Sequence, residues 1–317
     1  MNANLGFVFP GQGAQKPGMG KDLFMNFSVA KRVFEEADDT LGFSLSDYCF
    51  NGPIQKLQLT EITQPAILAT SIAALSVLRS ELDLKPSVAL GHSLGEYSAL
   101  CCANVISFSD AIKAVHLRGK YMQEAVPEGA GQMAAIMGLN KDKITEICLM
   151  ITQSSKDHLV EAANFNSHEQ TVISGYSHSI QKAIEELKAE GAKRAIALKV
   201  SAPFHCTLME PVVKPLRETL ERIKINPFDF PVISNVYAKP YGKEKPEERI
   251  VDILLKQLTS PVRFTESIEY LPNLNIEKTL EIGPGTALSS MIKRIDKSIE
   301  LFDLSSLKSL NKLANSF

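Results

Sequence analysis

Cysteine is scarce in this sequence and follows no pattern. Cys49, Cys101, Cys102, Cys148 and Cys206 include no C-x-x-C pair, which removes support for zinc and thioredoxin chemistry. An odd count without a framework fits a reducing compartment. Charge of one sign is missing as well. Lys and Arg total 34 against 36 Asp and Glu, a net −2, so no bulk field argues for nucleic acid or membrane as a partner. The longest apolar stretch, Ala66 to Leu78, is interrupted by Thr70, Ser71 and Ser76 and falls short of the ~20 residues that cross a bilayer. The opening MNANLGFVFPGQG lacks a basic start and a long apolar core, so it does not read as a secretory signal. The expected location is the cytoplasm.

Nucleotide loops are absent on spacing. G-x-G-x-x-G beginning at Gly11 needs glycine where Lys16 stands. A phosphate loop ending in Gly20-Lys21 needs glycine at Gln15 and a hydroxyl at Asp22. There is no repeat and no low-complexity tract. What remains is an ordinary globular composition, 317 residues with 44% hydrophobic and 22% charged, enough for one large domain or two unequal ones.

Short apolar runs alternate with longer helical ones. Residues 5–9 read as a buried strand, 62–80 as a helix, 87–93 as a strand entering a sharp turn and 94–103 as the helix after it. Ser107 and Asp110 fit a capping box that opens a helix over 110–125. Such alternation implies an α/β fold with a mainly parallel sheet. From Pro127 the pattern changes. Strands over 131–139, 159–165, 170–175 and 194–200 enclose helices over 141–152 and 179–191. The order β-α-β-β-α-β suggests a ferredoxin-like α+β insert. The expectation is a large α/β-hydrolase-like domain from 1–127 and 201–317, with a small subdomain over 128–200. Strands at 233–236 and 278–283 return the chain to the large sheet.

Gly91-His92-Ser93-Leu94-Gly95 is a G-x-S-x-G motif between a strand and a helix. That is the setting of a nucleophile elbow, in which a strained turn exposes the serine. The N–H of Leu94, at the start of the helix, is a natural oxyanion donor. The competing reading is a glycine-rich turn with an incidental serine. Among six histidines, His205 stands apart. It follows a strand in Ser201-Ala202-Pro203-Phe204-His205, where loops gather at the ligand crevice of an α/β sheet; a capping or packing role competes. No carboxylate stands out to orient it, and a backbone carbonyl could serve instead. Ala111, Val115, Arg118 and Met122 fall on one helical face, which buries a guanidinium. It is either ion-paired inside the protein or a clamp for an anionic substrate. The turn Pro10–Gln15 could bring the N–H of Gln12 to a reacting carbonyl, or simply connect strand and helix.

Taken in order, FVFPGQGAQ, TEITQPAILAT, GHSLGEYSAL, HLRGKYMQEA, MAAIMG, ANFNSHEQTVISG, SAPFH, QLTSPVRF and LEIGPGTAL resemble the malonyl-CoA:acyl-carrier-protein transacylases of bacterial fatty-acid synthesis. The resemblance covers nearly the whole chain. It implies Ser93 as nucleophile, His205 as base and the amides of Gln12 and Leu94 as oxyanion hole. Arg118 would hold the malonyl carboxylate, and the backbone carbonyl of Gln257 would orient His205. His92 would shape the pocket, and Phe204 would favour malonyl over methylmalonyl. Asn164, Asn166 and Gln170 match an insert motif without an assignable role. Malonyl-CoA and acyl carrier protein are the expected partners, and no metal or cofactor is expected. Three rivals remain: a discrete polyketide-synthase acyltransferase, a serine esterase or thioesterase, and a non-catalytic carrier-binding module. The Asp-Gly pair of patatin-like lipases is absent.

Overall fold

The computed structural model describes residues 4–245 and 247–316; the first three residues of the N-terminal segment lie outside it. The described strands are β1 (Leu5–Phe9), β2 (Val88–Gly91), β3 (Gly131–Met137), β4 (Val160–Ser167), β5 (Gln170–Tyr176), β6 (Arg194–Ala197), β7 (Val232–Ile233), β8 (Lys278–Ile282) and β9 (Glu300–Leu304). They form two sheets. The first is ordered β7-β2-β1-β8-β9 and every pairing in it is parallel. The second is ordered β4-β5-β3-β6 and is antiparallel.

β1 is buried along its whole length because both faces of its sheet are covered, as parallel sheets require. Leu5, Phe7 and Phe9 face one core with Ala89. Val8 alternates to the opposite face, where Val88, Leu90, Ile233, Phe264 and Ile268 gather. The helix Thr60–Glu81 fills the first core. It has 22 residues and is long and apolar enough to cross a membrane, which the shorter apolar stretch read from the sequence did not suggest. Burial of 89% of its most apolar window within the protein identifies it as a core helix. A third core lies between the antiparallel sheet and the helices Lys141–Ser154 and Ser177–Ala189.

Several boundaries differ from the sequence reading. β6 ends at Ala197, although the Leu198 N–H still reaches the Met133 carbonyl; Leu198 and Val200 then turn to line a cavity. β7 stops at Ile233, because Ser234 and Asn235 spend their polar groups on turn and side-chain contacts. β4 and β5 run closer together than expected, leaving only His168 and Glu169 between them. β9 was not anticipated: its half-buried residues lie at a sheet edge and carry a weak apolar signal. The Ser107 cap is present, its hydroxyl accepting from the Asp110 N–H. The Asp110 carboxylate accepts from the Ser107 hydroxyl.

A connecting segment joins the antiparallel sheet to the larger layer. The Phe165 N–H donates to the Val262 carbonyl at 2.9 Å and the Val262 N–H to the Ala163 carbonyl at 2.8 Å. Val262 lies outside both sheets, between the turn Gln257–Thr259 and the helix Phe264–Glu269. The next residue, Arg263, donates its N–H to the Asn235 carbonyl just past β7. This segment thus ties β4 to the carboxyl end of the parallel strands, where ligands of open α/β sheets bind.

Candidate active site

β2 ends at Gly91, and the helix Gly95–Cys102 starts four residues later. Ser93 between them holds a left-handed φ of 54°, a strained state for a residue with a side chain. The flanking glycines permit the crossing. A Cβ on Gly91 would lie 1.9 Å from the Gly95 carbonyl carbon, and one on Gly95 would lie 2.2 Å from the Phe9 carbonyl oxygen. Asn235 fastens the turn. Its Oδ1 accepts from the Ser93 N–H at 2.7 Å and its Nδ2 donates to the Gly91 carbonyl at 2.6 Å.

His205 also sits at positive φ, 59°. Its Nε2 is 2.7 Å from Ser93 Oγ, and its Nδ1 is 2.8 Å from the Gln257 carbonyl. A carbonyl only accepts, so Nδ1 carries the proton and Nε2 is free to accept from the serine hydroxyl. Burial, reinforced by the nearby Arg118 charge, pushes the imidazole down from 6.5 to about 3. The ring is therefore neutral and able to take a proton at ordinary pH.

Arg118 is 1% exposed, with Ala111, Val115 and Met122 buried on the same helical face. Burial lowers its pKa. Its Nη1 donates to Gln64 Oε1 at 2.8 Å, and its Nη2 to Ser93 Oγ at 3.1 Å and Gln257 Oε1 at 2.9 Å. The buried Nε has no hydrogen-bond partner among the described residues. Among the described residues no carboxylate forms an ion pair with this guanidinium; its acceptors are neutral. The internal ion pair that competed with a clamp in the sequence reading is thus not what holds it.

These groups open on a cavity of about 270 Å³ lined by Gln12, His92, Ser93, Arg118, Phe204 and His205, with further walls from both sheets. Among the described residues, the N–H groups of Gln12 and Leu94 have no acceptor. A larger groove of about 870 Å³, walled by Leu220, Phe228, Tyr241 and Arg249 among others, touches none of Ser93, His205 and Arg118.

The model of the acyl transferase domain matches residues 6–310. The chain belongs to the acyl transferase family. The Bacillus subtilis malonyl CoA-acyl carrier protein transacylase is 44% identical over 96% of this chain and 94% of that protein. The Clostridium perfringens malonyl CoA-acyl carrier protein transacylase structure is 43% identical, with TM-score 0.93, and covers 99% of this chain and 97% of that one. A malonyl-transacylase in complex with a type II PKS acyl-carrier protein is 42% identical, with TM-score 0.94, over 99% of this chain and 100% of that chain.

The acyltransferase also holds polar residues that the sequence reading missed or left unassigned. Asn166 is the extra residue of a β-bulge on β4, which re-aims its side chain. His92 Nε2 donates to Asn166 Oδ1 at 2.8 Å, and Asn166 Nδ2 donates to Gln170 Oε1 at 3.1 Å. The elbow is thus tied to the antiparallel sheet, and burial keeps His92 below its usual range. Asn164 lines the same cavity. Gln64, Glu96 and Asn235 were not singled out. Each stands in a stretch of mixed polarity, TEITQP, SLGEYS and VISNVY, that carries no local signal for it. Arg217 is taken by Asp252 at 2.7 Å. Lys193, Arg194 and Lys214 are exposed.

Proposed function

We propose that the acyltransferase moves a malonyl group from malonyl-CoA to the pantetheine thiol of an acyl carrier protein, in fatty-acid biosynthesis, through a malonyl ester on Ser93. The observation that carries this reading is Arg118. A buried guanidinium with only neutral acceptors, 3.1 Å from the Ser93 hydroxyl, supports an acyl group that brings its own carboxylate. The names of the relatives agree with it.

The reaction runs in two half-cycles. His205 Nε2 takes the hydroxyl proton as Ser93 Oγ attacks the thioester carbonyl. The N–H groups of Gln12 and Leu94 receive the oxyanion. The C–S bond breaks, and His205 returns the proton to the departing CoA thiolate. The carrier thiol then gives its proton to His205, attacks the ester and takes the malonyl group, and Ser93 recovers its proton. The Gln257 carbonyl keeps the imidazole tautomer throughout, in place of a carboxylate. His92 and Phe204 shape the acyl end of the cavity, Phe204 on the side that disfavours a branched acyl group. For the architecture, we read residues 1–127 and 201–317 as an α/β-hydrolase-like domain and 128–200 as a ferredoxin-like subdomain. Five buried, unpaired cysteines support a reducing cytoplasm.

Incubation with malonyl-CoA should add the mass of one malonyl group at Ser93. Arg118→Ala should reduce acylation by malonyl-CoA roughly tenfold or more while sparing acetyl-CoA, since a hydrogen bond to a charged group is worth ~1.5–3 kcal/mol. Equal losses with both thioesters would remove the clamp. Free malonate without an adduct would make the enzyme a hydrolase.

A further inference from the structure

Glu96 lies directly beneath this site and is fully buried. It is the one charge in the otherwise uncharged helix Gly95–Cys102, and three donors converge on it. The Tyr241 hydroxyl donates to Oε1 at 2.5 Å, the Gln257 amide to Oε2 at 2.6 Å, and the Asn235 N–H to Oε2 at 3.2 Å. Burial pushes the pKa of Glu96 up to about 7, a rise that the three donors and the nearby Arg118 charge partly offset.

The Gln257 contact decides which way a side-chain amide points. An amide has a donating and an accepting end, and its neighbours select the orientation. Gln257 Nε2 is held by Glu96 and by the Ser93 carbonyl at 3.0 Å. That leaves Oε1 to accept from Arg118 Nη2 at 2.9 Å. Reversal would set N–H groups against the guanidinium and oxygen against the carboxylate. Because the amide stands between the two groups, Glu96 holds Arg118 through Gln257 and does not itself cover the guanidinium. Glu96 also accepts from Asn235, the residue that fastens Gly91 and Ser93.

We propose that Glu96 is a positioning residue for acyl selection: by fixing the Gln257 amide it aims Arg118 at the carboxylate of the incoming acyl group. This rests on the malonyl reading of Arg118 given above.

The test compares Ser93 acylation rates with malonyl-CoA and acetyl-CoA in wild type, Glu96→Ala, Glu96→Gln and Arg118→Ala, with melting curves for each. Glu96→Ala should lose the malonyl preference tenfold or more. Glu96→Gln should regain most of it. Its carbonyl can accept from Gln257 and Asn235 while its amide faces the Tyr241 hydroxyl, which can accept. A folded Glu96→Ala with wild-type preference, or equal losses for both acyl groups, overturns the proposal. So does Glu96→Gln as defective as Glu96→Ala. If Glu96→Ala does not fold, Gln257→Ala takes its place, because it keeps the backbone carbonyl on His205 and removes only the amide. Retained preference in that variant is equally fatal. Arg118→Ala separates the two readings. If it keeps the malonyl preference, the clamp itself fails; if it loses the preference while folded Glu96→Ala does not, only the role of Glu96 falls.

Discussion

An imidazole in water is half protonated near 6.5, yet His205 inside this protein is held neutral down to about 3. Two consequences follow for measurement. Acylation of Ser93 should show no acid limb from His205 between pH 5 and 8, and His205→Ala should lower the rate about 10²–10⁴-fold. A limb at the ordinary imidazole value that disappears in the variant would contradict the burial argument. Stability responds at lower pH. Between about 3 and 6.5 the unfolded chain binds a proton at this residue and the folded chain does not, so the histidine's contribution to stability falls as pH drops. His205→Asn should therefore lose less stability than wild type on acidification from pH 6.5 to 4 in denaturant titrations. Ser93, His205 and Arg118 were legible from sequence because each breaks a local pattern: a hydroxyl between glycines, a histidine after a strand, a cation on an apolar face. Gln64, Asn235 and Glu96 break no local pattern, and their meaning lies in partners between 54 and 161 positions distant.

At the level of elements, the elbow depends on space more than on propensity. Gly91→Ala or Gly95→Ala would put a carbon inside backbone atoms of a neighbouring element. Either should cost about 3 kcal/mol or more, or prevent folding. Gly13→Ala is the control. Nothing lies within 4 Å of its Cβ, and only φ of +104° opposes it, a penalty of about 1–2 kcal/mol. Thermal melting of the three variants checks the ranking, and comparable losses would show that backbone strain rather than crowding governs the elbow. The strand–turn–helix unit was readable because its apolar run ends in glycines at fixed spacing. The early end of β6 was not readable, since Leu198 and Val200 look like strand residues until a cavity exists for them to line.

For the whole molecule, the cavity beside Ser93 is shared property. Ser93, Arg118 and Gln64 come from the parallel-sheet layer, while Met133, Asn164, Asn166 and Val172 come from the antiparallel one. Ligand binding should therefore tighten both. With malonyl-CoA at about 100 times its Kd the folded state gains about 2.7 kcal/mol. Hydrogen exchange should slow in peptides covering 88–102 and also in those covering 160–176. Protection confined to the elbow would mean that the antiparallel sheet takes no part in holding the acyl group.

By itself the sequence determined the class of fold, the alternation of most strands and helices, and the glycine-flanked turn that carries Ser93. Those depend on local periodicity, glycine spacing and the pattern of apolar faces, all readable along the chain. Only the tertiary structure decided the rest: that Arg118 meets no carboxylate partner, that a backbone carbonyl holds His205, that a bulge on β4 reaches His92, and that Glu96 underlies the site. Each of these turns on which donor meets which acceptor across the fold, and hydrogen bonds between distant segments leave no periodic trace in the chain that makes them.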